Sequence, residues 1–191
     1  MDAPPIQYAR TEDGVNIAYT ESGSGPTWLF VTAPQTSDLT ALWQTKPHAL
    51  LFERIRAEYH LVVMATRGAG SSDRDVDDLS PSATVPDIAA VLAAVGARSA
   101  IVHTATSDVP AAVLFANAYP ARVELLVLSS PYARGRDLYS DSASIFLGIS
   151  TLAQADWPLA ARSALTAQGH ADADLEAGVE LLTASLTAEQ Y

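Results

Sequence analysis

Cysteine is absent from the 191 residues. Disulfides, thiolate nucleophiles and zinc–sulfur sites are excluded with it, and the composition fits a reducing compartment, so a cytoplasmic protein is expected. Cations are scarce: 11 Lys and Arg stand against 22 Asp and Glu, a formal net charge of −11. Such a surface repels phosphate backbones and anionic lipid, so neither nucleic acid nor membrane is an expected partner. No apolar run reaches the roughly 18 residues of a membrane helix. The opening MDAPPIQ has neither the basic nor the apolar region of a signal peptide. No His, Asp or Glu cluster has metal-ligand spacing, and no glycine-rich stretch carries the lysine of a phosphate loop, so neither metal nor cofactor is expected. Asp75, Asp77 and Asp78 read as a solvated acidic loop.

What is present alternates. Ile6–Arg10 and Val15–Thr20 flank Asp13-Gly14, a hairpin signal. Trp28–Val31, Leu61–Met64, Ala100–Val102 and Val123–Leu128 are continuous apolar runs of the kind buried on both faces of a sheet. Between them, Pro47–Tyr59, a segment with Ile88, Val91, Leu92 and Val95, and Pro110–Ala118 have helical spacing, and Gly96 closes the second. Strands alternating with helices predict the α/β class: a mostly parallel sheet with helices on both faces. After Pro131 the pattern is helical only, over Ser142–Leu152, Pro158–Ala167 and Ala173–Leu186. The expected organisation is a core over 1–136 and a helical cap-like segment over 137–191, packed on it. A sheet ending at Val123–Leu128 leaves an open apolar edge, where a partner protein or a second copy is expected to dock unless the tail covers it.

Several stretches carry a family resemblance. RGAGSSD, Arg67 to Asp73, resembles the R-G-x-G-x-S-D turn after the fourth strand of α/β-hydrolases. DGVNIAYTESGSGP and FANAYPARVELLVLSSP are similar to that family's opening hairpin and to the helix and strand that follow its nucleophile. The run through Leu42-Trp43, with Tyr132-Ala133-Arg134-Gly135, resembles hydrolase-like domains found beside nucleotide cyclases and LuxR-type regulators. The resemblance implies an α/β-hydrolase-like core without the family's C-terminal strands, where the triad histidine and usually the acid lie. It also places a nucleophile elbow, G-x-S-x-G-G in the family, on Thr104 to Val109, with Thr106 at the nucleophile position and Ser107 one residue on. The oxyanion loop falls on Ala33-Pro34, making Pro34 and Gln35 its candidates. Ala65 stands where an acidic residue is usual.

The elbow glycines are therefore missing. A β-branched residue at positive φ is an outlier costing roughly 1–3 kcal/mol, so a relaxed turn is expected. Asp108 reads as the cap of the next helix, placing a carboxylate where a hydrolase stabilises an oxyanion. His103, three residues before Thr106, is either a hydrogen-bonded histidine at the strand end or the base for a hydroxyl nucleophile. His48 and His60 are expected in solvent, and His170 in a tail loop. Trp43 and Trp157 are pocket lining or ordinary core. The expectation is a catalytically degenerate small-molecule-binding or regulatory module. The alternatives are a residual hydrolase of small esters or amides using Thr106 or Ser107, and a docking or dimerisation module.

Overall fold

The computed structural model describes residues 3–132, 148–149, 151–167 and 172–187. They belong to two compact units, Met1–Pro131 and Tyr132–Tyr191.

The first unit is a six-stranded sheet in the order β1-β2-β4-β3-β5-β6, with β1 Gln7–Arg10, β2 Asn16–Ser22, β3 Thr27–Val31, β4 His60–Met64, β5 Ala100–Ala105 and β6 Val123–Ser129. The hairpin β1–β2 joins antiparallel to β4, whereas β4, β3, β5 and β6 run parallel. Each apolar run of the sequence is one of these parallel strands. The helices are α1 Leu39–Gln44, α2 Lys46–Arg56, α3 Thr84–Ala94 and α4 Val109–Ala118.

Side chains alternate along a strand, so neighbouring residues of β3 enter different layers. Leu29 and Val31 join Ile88, Val91 and Leu92 of α3 and Phe115 of α4. Phe30 points the other way, edge-on to Phe52 of α2, its ring centroid 5.3 Å away. Helices thus cover both faces. Gly96, at φ +70°, lets the chain turn after α3 while Ala97 N–H bonds back to Leu92 O at 2.8 Å.

Helix α1 lacks the length for a periodic signal. Asp38 starts it by accepting from Ala41 N–H at 2.8 Å, and Leu39, Leu42 and Trp43 are buried. Trp43 donates its indole N–H to Thr20, so it belongs to the core. At the far end β6 pairs with β5 alone among the described residues, and its Leu125 is 53% exposed.

In the second unit, α5 Trp157–Ala167 and α6 Asp172–Ser185 pack together. Trp157 and Leu152 pack on Ile149, Ala153, Ala160 and Ala164, and Arg162 grips Glu176 through two hydrogen bonds of 2.6 and 2.7 Å. Most of the expected helix Ser142–Leu152, and His170, lie outside the described residues. No described helix is long and apolar enough to cross a membrane.

Candidate active site

The carboxyl ends of β3, β4 and β5 converge on three turns. After β5 the chain makes a single 3₁₀ turn, Thr106–Asp108, and enters α4 at Val109 with Pro110 in its first turn. Thr106 has φ +45°. The expectation of a relaxed turn is corrected here: the turn holds a left-handed, β-branched residue without glycine. Strand β5 is paired on both sides and α4 is buried through Val109, Ala111, Ala112 and Phe115, so their positions over-determine the connecting residue.

Asp108 is also corrected. It occupies the cap position of α4, but its side chain makes no capping bond. Its backbone is already helical, φ −94° and ψ 0°, rather than extended as a side-chain cap requires. The carboxyl turns inward and is 5% exposed. Ser107 Oγ donates to Oδ2 at 2.9 Å, and Oδ1 lies 3.3 Å from Thr66 Oγ1. Burial pushes its pKa up to about 7.

Thr66 follows β4. Its hydroxyl donates to the carbonyl of Thr32, beyond the end of β3. Its N–H donates to Ser37 Oγ at 3.1 Å, and Ser37 in turn donates to Ala33 O at 3.0 Å. Thr32 and Ser37 hydroxyls meet at 2.8 Å. This buried network fixes the candidate oxyanion loop, whose Pro34–Thr36 form a 3₁₀ turn. Gln35 is exposed, and Pro34 has no N–H to offer an oxyanion. Ala65 is fully buried where the resemblance expects an acid.

His103 lies inside the sheet layer. Nε2 is 3.1 Å from Ser129 Oγ on β6, and the ring stands edge-on to Phe30 and Trp28 at 4.8 and 5.9 Å. Nδ1 is buried without a partner, and burial lowers the pKa, favouring neutral imidazole. It makes no hydrogen bond to Thr106 or Ser107. His48 is no solvated residue, since α2 turns it against Phe30 and Phe52 with Nδ1 2.8 Å from Thr45 Oγ1. His60 meets Glu21 at 2.9 Å. No group of three or more potential metal ligands assembles among the described residues.

The turn after β4 serves structure. Arg67 holds Asp87 of α3 with two hydrogen bonds, 2.8 and 2.6 Å, and Asp13 of the hairpin with one of 2.9 Å. The bonds to Asp87 raise the Arg67 pKa, keeping it charged while buried.

No protein-family model and no curated protein matches the chain. Solved structures do. E-2-(acetamidomethylene)succinate hydrolase aligns over 97% of this chain and 64% of its own, at 20% identity and TM-score 0.64. A bacterial membrane phospholipase A aligns over 97% and 60%, also at 20% and 0.64. Bacillus megaterium epoxide hydrolase aligns over 80% and 51%, at 21% and 0.57.

The fold is that of the α/β-hydrolases. The chain spans 51–64% of the length of these three hydrolase structures. Thr106 stands in the turn between β5 and α4. Asp108, Thr66, Thr32 and Ser37 form a polar floor that no sequence motif announced.

Proposed function

We propose that this α/β-hydrolase-like domain is a non-catalytic module that binds a small molecule, or transmits its presence, at the carboxyl ends of β3, β4 and β5. One observation carries the reading: the acid nearest the elbow, Asp108, is buried and committed to Ser107 and Thr66. His103 is committed to Ser129, which leaves Thr106 without a base in hydrogen-bond contact among the described residues. The likeness of Leu42-Trp43 and Tyr132-Ala133-Arg134-Gly135 to domains beside cyclases and LuxR-type regulators supports a regulatory use. The test is turnover of p-nitrophenyl acetate by the purified chain and by its Thr106→Ala, Ser107→Ala and His103→Ala variants. All four are expected to give one background rate. A wild-type rate abolished by Thr106→Ala or Ser107→Ala would overturn the reading.

The φ of +45° at Thr106 favours a second reading, a residual hydrolase of small esters or amides. That reading requires the Thr106→Ala variant to lose the activity.

A further inference from the structure

The protons in the floor of the site can be counted. A threonine hydroxyl has one hydrogen to donate and lone pairs to accept. Thr66 gives its hydrogen to the carbonyl of Thr32, which can only accept. The 3.3 Å approach of Asp108 Oδ1 to Thr66 Oγ1 is then a hydrogen bond only if the hydrogen comes from Asp108. Oδ2 meanwhile accepts from Ser107 at 2.9 Å, as the carbonyl oxygen of a neutral acid does. The bonds line up in one direction: Ser107 to Asp108, Asp108 to Thr66, Thr66 to Thr32.

We propose that Asp108 stands in the folded protein as an un-ionised carboxylic acid donating to Thr66, and that ionisation turns it from Thr66 toward the elbow, making it a proton-controlled switch in the candidate site. This deepens the binding reading above and rests on it for the importance of the site. Once the proton leaves, Oδ1 and Thr66 Oγ1 face each other as two acceptors. Thr66 cannot release its hydrogen without opening the bond that ties the chain after β4 to the end of β3. The carboxylate keeps Ser107 and lies in the favourable field of the α4 N-terminus. A carboxylate then stands beside Thr106 and Ser107 and favours a cationic ligand over an anionic one. The groups facing Asp108, Ser107 from its own turn and Thr66 from β4, are uncharged. Arg67 is held by Asp87 and Asp13, and His103 by Ser129. The upward shift of the Asp108 pKa through burial agrees with this state.

The test is the ¹³C carboxyl titration of Asp108 in the full chain, with Thr66→Val, Thr66→Ser and Asp108→Asn variants. Wild type is expected to ionise near neutral pH. Thr66→Val, losing the acceptor, should ionise at least about threefold more readily, and Thr66→Ser should titrate like wild type. Asparagine can donate to Thr66 and accept from Ser107 as the neutral acid does, so Asp108→Asn should fold and its Ser107 amide signal should stop titrating. Ionisation in the ordinary range of about 3.9, or a midpoint raised by Thr66→Val, would overturn the proposal. Should Thr66→Val fail to fold, Asp108→Asn still decides it: a Ser107 signal that titrates near neutral pH as in wild type would place the switch elsewhere. Ester turnover lost in Thr106→Ala would remove the non-catalytic reading and leave this titration unaffected.

Discussion

Two turns flank the end of β3 and reach their shapes by opposite means. After β4, the chain meets its positive-φ requirement with glycine. Gly70 has φ +53°, and a Cβ there would lie 2.0 Å from the backbone of Ser37. Ser72, close by, accepts from Ala18 N–H and donates to Ala65 O, both at 3.0 Å. Sequence and geometry agree, so the motif is recognisable. After β5, Thr106 takes φ +45° with a β-branched side chain and no motif at all. There the strand and the helix hold the turn, and the residue conforms. A glycine motif reports that a turn is comfortable, whereas its loss does not report that the turn is gone.

The largest expected effect lies at the β4 turn. Asp87→Ala would leave Arg67 buried with Asp13 as its one remaining ion-pair partner among the described residues, and breaking such a pair from one side costs about 3–5 kcal/mol, readable in urea denaturation. Gly70→Ala should follow at roughly 2–4 kcal/mol, because strain at positive φ adds to collision with a backbone that cannot give way. At the elbow the sign reverses. Thr106→Gly should raise stability by about 1 kcal/mol, the left-handed penalty relieved less the entropy glycine loses on folding. A loss there would mean that the threonine side chain itself holds the turn.

A pH series separates the turns further. With Asp108 near 7 in the folded state and about 3.9 unfolded, the native protein holds a proton that the unfolded chain has released. The stabilising contribution is therefore complete below about pH 4 and lost as pH rises through about 7, with a slope of at most about 1.4 kcal/mol per unit. Wild type compared with Asp108→Asn should show this slope between pH 5.5 and 7, and none above about 8. This range keeps clear of the isoelectric point near 4.5. Parallel curves would return Asp108 to an ordinary carboxylate.

Much of the sheet was legible because strands buried on both faces must be apolar throughout, as Trp28–Val31 and Leu61–Met64 are. Helix α1 escaped because six residues give too little periodicity, although Leu39, Leu42 and Trp43 carry its buried side. His48 escaped because one residue at the start of an amphipathic helix does not declare its layer. The polar floor of the site was invisible for a different reason. Thr32, Thr66 and Asp108 are far apart in sequence and meet only because the order β4-β3-β5 brings three strand ends together. Asp108 could be located at the mouth of α4 from its position before Val109 and Pro110. The direction of its carboxyl depended on Thr66, which carried no signal.

The central claim is that the elbow has kept its form without an activated hydroxyl. The most direct test is the intact mass of the folded protein after exposure to a fluorophosphonate. The mass is expected to stay unchanged. A stoichiometric adduct mapped to Thr106 or Ser107 would contradict the claim and make the domain a hydrolase.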